Sequence, residues 1–284
     1  MNYKFSEDLK AIREILGITQ GELAEKLGVQ QVTISRNENG KTKPSEKLLE
    51  QVYSFAFNNN IKLGRPKEML WLENIKSGHK LLFHGAKRAI EGEISPSKSR
   101  MNNDFGQGFY TGESYEQAVS FVSGFEKSSV YYLDFDDSNL KWKEYEVNQE
   151  WMMTIAYYRG ALETYENHPV IKKLIKNKEK YDFIIAPIAD NRMFQIINSF
   201  ISGEITDEQC KHCLAATNLG KQYVFASEKS VKKIKILERS YISSNEREYL
   251  KTRRSEESKL GEDKVKLARI QYRGKGLYID EILK

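Results

Sequence analysis

The chain reads Leu-Leu-Phe-His-Gly over residues 81–85, Asp-Phe-Gly-Gln-Gly-Phe-Tyr over residues 104–110 and Gln-Tyr-Val-Phe over residues 222–225. Short apolar or aromatic runs beside glycine are typical of strands with buried side chains. We therefore expect one strand that ends in histidine and glycine, and a glycine-rich turn that opens a second, aromatic strand. A third strand should begin with glutamine.

The region from residue 80 onward alternates irregularly between such runs and helical stretches, which favours an α+β fold over a regular βαβ array. The strands are expected at residues 81–84, 108–111, 130–135, 141–145, 183–187 and 222–226. From residue 240 the chain is rich in arginine, lysine, glutamate and serine, so we expect an exposed helix or partly mobile tail there.

The first 55 residues have the spacing of four short helices. Apolar residues recur at helical intervals before Gly17, and Thr19 is placed to cap a second helix in a capping box with Glu22. Gly28 provides a turn before a third helix, and Pro44-Ser45 opens a fourth.

This order of residues resembles the phage-repressor (Cro/XRE-type) helix-turn-helix, although Asn37 stands where a bulky aromatic is usual. The resemblance implies a DNA-binding domain in which Gln20, at a helix N-terminus, holds a phosphate. It implies that the third helix contacts bases through Gln31, Val32, Thr33 and Arg36. Asn39 and Lys41, which follow this helix, should contact the DNA backbone. Such modules normally bind paired half-sites, so we expect a homodimer. A helical docking domain without DNA affinity is the alternative.

The three stretches quoted first resemble the NAD signature of the ADP-ribosyltransferase superfamily, usually written His-Tyr-Glu, over roughly residues 80–238. The resemblance implies that NAD is the co-substrate and that His84, Tyr110 and Gln222 are the catalytic triad, with glutamine in place of glutamate. It places Gly85 beside the carboxamide of NAD, and adds Phe109 and a second stacking aromatic, Phe121, to the cofactor site.

Gln222 cannot supply the full negative charge that a glutamate offers to a positively charged transition state. The segment at residues 188–192 resembles one in a bacterial branch of the superfamily catalogued as a domain of unknown function. It suggests Asp190 as an assisting carboxylate and Arg192 as a pyrophosphate ligand. A helix cap at Asp190 with a surface arginine at position 192 is the alternative.

The two resemblances together predict an α+β protein, with a small all-α helix-turn-helix domain before an ADP-ribosyltransferase-like split β-sheet domain with helical insertions. We expect residues 1–60 to be the DNA-binding domain and 61–77 a linker with a short helix. Residues 78–239 should form the transferase-like domain, and residues 240–284 a charged C-terminal extension.

The function implied is mono-ADP-ribosylation of a protein or nucleic acid, as the toxin of a toxin–antitoxin or phage-defence locus. An antitoxin protein would then be a further partner, and the helix-turn-helix would serve autoregulation or targeting. Two alternatives remain open, namely an NAD glycohydrolase toxin and a non-enzymatic transcription regulator that senses a nucleotide.

Composition agrees with these expectations without selecting among them. The chain has 284 residues, of which 39% are hydrophobic and 30% charged, and its formal net charge is +5. That length suffices for two compact units, and a mildly basic balance permits contact with nucleic acid. We expect a cytoplasmic location and no membrane span. Cys210 and Cys213 lack a companion pair for a closed zinc site, so we expect no metal.

Overall fold

The computed structural model describes residues 3–216 and 220–284. Two compact units are formed, each from several stretches of the chain. The first unit contains the described residues up to Ile90, with Ser114–Phe135 and Lys235–Arg254. The second unit contains the described residues of Glu91–Glu113, Asp136–Ile234 and Ser255–Lys284. The division expected from the sequence follows consecutive stretches, whereas these units are discontinuous.

The N-terminal part of the first unit is helical, as predicted. Its helices are α1 (Phe5–Leu16), α2 (Gln20–Leu27), α3 (Gln31–Glu38), α4 (Glu46–Asn58) and α5 (Gly64–Asn74). The capping box is present, since Thr19 Oγ1 accepts from Glu22 N at 3.2 Å and the Glu22 carboxylate accepts from Thr19 N at 2.7 Å. Gly17 and Gly28 end their helices in the left-handed conformation.

A separate apolar core holds these helices together. It is built from side chains at helical spacing on each of the first four helices, namely Phe5, Leu9, Ile12, Leu23, Ala24, Leu27, Ile34, Leu48, Leu49, Val52, Tyr53 and Ala56. All of them are less than one-tenth exposed. Burial of this stripe stabilises helices that are individually too short to form in water.

The first unit also contains strands β1 (Lys80–Ala86) and β3 (Ser129–Phe135), which pair in antiparallel fashion, and most of β7 (Ile234–Tyr241) beside β3. Helix α6 (Tyr115–Val122) packs on this sheet. Strand β7 was not predicted, because a charged residue occupies one of its buried positions. Glu238 is buried there by an ion pair with Lys67 and a hydrogen bond from Trp71 Nε1 at 3.0 Å.

The second unit has four strands in the order β4 (Trp142–Glu144), β5 (Phe183–Pro187), β6 (Lys221–Phe225) and β2 (Phe109–Gly112). The first pair is parallel and the other two pairs are antiparallel. The helices of this unit are α7 (Gln149–Tyr158), α8 (Pro169–Lys178), α9 (Asn191–Ile201), α10 (Asp207–Ala215), α11 (Glu228–Val231) and α13 (Ile279–Ile282). This mixed sheet with irregularly placed helices confirms the α+β class.

The charged C-terminal stretch forms α12 (Ser244–Gln271). Its last turns pack within the second unit, where Cys213 Sγ lies 3.6 Å from the Val265 carbonyl oxygen and the ring of Tyr272 stacks on His212. The stretch is therefore docked along part of its length. No helix among the described residues is long and apolar enough to cross a bilayer.

Candidate functional site

A buried carboxylate, Asp104, organises the polar interior of the second unit. Its Oδ2 accepts hydrogen bonds from Gln222 Nε2 at 2.9 Å and from Ala189 N at 3.2 Å. Its Oδ1 accepts from Arg159 Nε at 2.8 Å. Asp104 is 6% exposed and Gln222 is 7% exposed. One buried acid thus joins the start of β6, the end of α7 and the segment before α9.

The sheet leaves space for this acid above Gln222. On β6, Gln222 lies opposite Gly112 of β2 and opposite Ala186 of β5. Residues directly opposite each other in antiparallel pairs share a face of the sheet. Because both neighbours of Gln222 are small, its amide meets the Asp104 carboxylate without crowding, and Nε2 also donates to the Pro187 carbonyl at 3.2 Å.

The Tyr110 side chain is hydrogen-bonded to the turn at residues 104–106, which Asp104 begins. Its hydroxyl donates to the Gly106 carbonyl at 2.7 Å and accepts from the Phe105 amide at 3.1 Å. Burial raises the pKa of this hydroxyl, so Tyr110 stays neutral. Gly106 has φ of +71°, and a Cβ there would lie 2.8 Å from the ring of Tyr158, so the turn requires glycine. The turn at residues 104–106 therefore connects two of the three predicted signature residues.

His84 and Gly85 belong to the first unit, so the place of His84 in the predicted site stays a prediction. His84 is half-buried on β1 opposite Tyr131. The structure gives Gly85 a packing reason, because a Cβ there would collide with the Ala118 carbonyl of α6. Phe121, predicted to stack on nicotinamide, is 44% exposed and lies beneath the Arg254 guanidinium, 5.5 Å from the ring centre.

The remaining predicted cofactor residues lie in the second unit. Phe109 is buried, with its ring centre 6.3 Å from that of Phe225. Asp190 caps α9, since its Oδ1 accepts from Met193 N at 3.0 Å. Arg192 lies against α12, where a Cβ on Gly261 would approach its guanidinium to 2.5 Å. The geometry thus gives Asp190 the role of a helix cap, and its predicted part in catalysis remains a prediction.

Sequence reasoning missed Asp104 and Arg159. Asp104 begins an Asp-Phe-Gly triplet that resembles the metal-binding triplet of protein kinases, but the other kinase motifs do not accompany it. A useful signal was present, since Asp104 directly precedes the glycine-punctuated turn that opens the Tyr110 strand. Arg159 follows α7 without any motif, and only the fold shows that its guanidinium reaches Asp104.

The predicted DNA-contact residues form an exposed face in the N-terminal helices. Gln31, Val32 and Arg36 are exposed on α3, and Thr33 beside them is half-buried. Exposed residues also follow this helix, where Asn39 Nδ2 donates to the Ser35 carbonyl at 2.8 Å and Lys41 projects from the next turn.

Gln20 is less available than predicted. Its Nε2 donates to Glu38 Oε2 at 2.7 Å, and the other oxygen of Glu38 accepts from Arg13 Nε at 2.8 Å. This bridge ties α1, α2 and α3 together. The side-chain amide of Gln20 therefore supports the packing of the helices, and the backbone at the start of α2 remains as the predicted phosphate contact.

Comparison with known families identifies a matching family for each of two regions of the chain. A helix-turn-helix family model matches residues 9–52, which supports DNA binding by the N-terminal domain. A second model, described as "Protein of unknown function (DUF3990)", matches residues 81–236. This match covers more than half of the chain, so the chain belongs to that family. No curated protein and no solved structure matches it significantly.

Proposed function

We propose that the chain is an NAD-dependent mono-ADP-ribosyltransferase whose N-terminal helices bind DNA. The observation that carries the proposal is the turn at residues 104–106, which bonds to both Tyr110 and Gln222. Tyr110 and Gln222 come from distant parts of the sequence and were singled out by their resemblance to the NAD signature. Their attachment to one turn is what a shared site for a single ligand requires.

Asp104 adds a second argument, because it places a carboxylate 2.9 Å from the Gln222 amide nitrogen. Gln222 alone lacks the charge of the usual glutamate. The carboxylate, whose other oxygen pairs with Arg159, fixes the Gln222 amide as a hydrogen-bonding group for a ribose hydroxyl. The residues of the second unit thus fit the ribose half of NAD, with Tyr110 as the neighbouring aromatic.

The reaction proposed is substitution at the ribose carbon that bears nicotinamide. The bond between that carbon and the nicotinamide nitrogen breaks, and nicotinamide leaves with the electron pair. A nucleophile on the acceptor, a protein or a nucleic acid, forms the new bond and loses its proton. Gln222, fixed by Asp104, would bind a ribose hydroxyl. Holding a ribose hydroxyl stays the predicted role of His84. A toxin in a toxin–antitoxin or phage-defence locus is the biological setting that we propose.

The proposal is tested by incubating the full chain with NAD labelled on the adenylate phosphate, in the presence of cell lysate. We expect labelled macromolecules together with released nicotinamide. Gln222→Ala should lower nicotinamide release at least tenfold. Gln195→Ala, at an exposed position of α9, should leave it unchanged. Free ADP-ribose without a labelled macromolecule would instead identify an NAD glycohydrolase, and neither product would contradict both enzyme functions.

One observation favours a non-enzymatic regulator as the second candidate. The Tyr110 hydroxyl both donates and accepts inside the protein, and the Gln222 amide donates to Asp104 and Pro187. These groups are thus already used in holding the turn and the sheet together. Unchanged NAD turnover and toxicity in both His84→Ala and Gln222→Ala would decide for this regulator.

A further inference from the structure

Helix α5 leaves an apolar face uncovered in the first unit. Three of its large apolar side chains, Met69, Leu70 and Leu72, are between 54% and 58% exposed. Pro66, about one turn before Met69, is exposed as well. Contiguous apolar patches on a protein surface commonly mark a site of interaction. This face of α5 is therefore suited to a partner that buries it.

The opposite face of α5 is fixed to the rest of the first unit. The Gly64 carbonyl accepts a hydrogen bond from the Tyr132 hydroxyl at 2.8 Å, and Lys67 Nζ forms an ion pair with Asp8 at 2.6 Å. Trp71 packs on the apolar core between α6 and the sheet. Because these contacts hold three successive turns, the helix cannot rotate to bury its own exposed apolar side chains.

The exposed face has a self-complementary order of residues around Met69. Pro66 and Leu72 lie three positions before and after it, and Arg65 and Glu73 lie four positions before and after it. All five residues are exposed, and positions three and four apart share one side of a helix. A two-fold axis at Met69 would therefore place apolar against apolar and each charge against its opposite in a second copy.

The two charges also oppose the dipole of their own helix. Arg65 lies in the first turn of α5, near its partly positive end, and Glu73 lies in the last turn, near its partly negative end. An antiparallel partner helix corrects both, because it brings its negative end and its glutamate to the arginine. The charge pattern thus favours a second copy of this chain over an unrelated apolar partner.

We propose that the exposed face of α5 is the interface of a homodimer in which two α5 helices pack in antiparallel orientation. The helix has 11 residues and is about 16 Å long. A pair of such helices buries less than the roughly 1,600 Å² of a standard interface, so the dimer should dissociate at micromolar concentration. The dimer would carry two helix-turn-helix domains, the number that paired half-sites require. This inference does not rest on the NAD chemistry proposed for the second unit.

The experiment is sedimentation-velocity ultracentrifugation of the full chain, from low micromolar to several hundred micromolar concentration. We expect the mean mass to rise from that of one chain toward that of two. Met69→Asp should raise the dissociation constant roughly tenfold or more, because it places two carboxylates at the axis. Met101→Asp is the matched control, since it makes the same change at a more exposed methionine of the second unit and should leave association unchanged.

Exchanging the two charges tests the antiparallel orientation. Arg65→Glu alone and Glu73→Arg alone each place like charges opposite each other, and each should raise the dissociation constant about fivefold or more. The double variant restores opposite charges and should recover the wild-type constant, which a destabilised helix would not do. A chain that stays monomeric at several hundred micromolar would overturn the proposal. So would a dimer that Met69→Asp leaves intact, or a double variant that associates no better than the single ones.

Discussion

The N-terminal helical domain and the second unit use their polar side chains in opposite ways. On α3, Gln31 and Arg36 are exposed, and the apolar core lies behind them. In the second unit, Gln222 is 7% exposed and hydrogen-bonded to the buried Asp104. In the N-terminal domain, the predicted DNA contacts therefore lie on a surface whose residues can be substituted without loss of stability. In the second unit, the candidate site is part of what holds the fold together.

The largest effect that we expect from a substitution tests this difference. Asp104→Asn replaces an acceptor oxygen by a donor, next to three donors from Arg159, Gln222 and Ala189. It also leaves the largely buried Arg159 without its counter-ion. Breaking a buried ion pair in this way costs about 3–5 kcal/mol, which urea denaturation would measure.

Glu144→Gln is the matched control for Asp104→Asn, because it removes an exposed partner of Lys221 at 2.6 Å. An exposed ion pair contributes at most about 1 kcal/mol. If both variants lose the same small amount of stability, Asp104 does not organise the second unit and the contrast between the two regions disappears.

A half-buried acid in the first unit, Glu246, predicts a pH effect. Burial raises the pKa of Glu246 from 4.5 to about 7, and the Tyr115 hydroxyl lies 3.4 Å from its carboxylate. Between these pH values the folded state keeps a proton that the unfolded chain has lost. The free energy of unfolding should therefore fall as pH rises, by up to about 3 kcal/mol.

Glu246→Gln should remove this slope, because the amide keeps the size of the protonated acid and does not titrate. Glu248→Gln, at an exposed position of the same helix, should retain it. Thermal unfolding followed at several pH values between about 4.5 and 8 measures the difference. A wild-type chain that is equally stable across this range would show that Glu246 is solvated when the protein is folded.

The two regions also differ in how far the sequence predicts them. The N-terminal helices depend on signals a few residues apart, such as the capping box at Thr19 and the left-handed turns at Gly17 and Gly28, and the prediction was confirmed. The Asp104 network joins residues that are 55 and 118 positions apart. No local pattern encodes such a pairing, so strands β2 and β6 were predicted while the acid that binds Gln222 was not.

Gly85 shows the same limit at a single position. The resemblance places Gly85 beside a cofactor, which stays a prediction, and the fold adds a packing requirement that no local pattern shows, because a Cβ there would collide with the Ala118 carbonyl of α6. Gly85→Ala should force the helix away from β1 and destabilise the protein by about 1–3 kcal/mol. Gly124→Ala is the control, since a Cβ there meets nothing within 4 Å. Equal thermal midpoints for the two variants would contradict this packing explanation.

The smallest effect on stability is expected at Arg36. The contrast between the two regions predicts that a substitution there weakens DNA binding instead. Arg36 is exposed on α3, so Arg36→Ala should change the free energy of unfolding by no more than about 0.5 kcal/mol. If its guanidinium contacts a base, the same variant should weaken specific DNA binding by about 1–3 kcal/mol. Lys41→Ala, at a predicted backbone contact, should instead weaken binding to all sequences. It should reduce the slope of the logarithm of affinity against the logarithm of salt concentration by about 1. Fluorescence anisotropy with labelled DNA at several salt concentrations separates these two outcomes. An Arg36→Ala variant that binds DNA like the wild type would remove α3 from the DNA-contact surface.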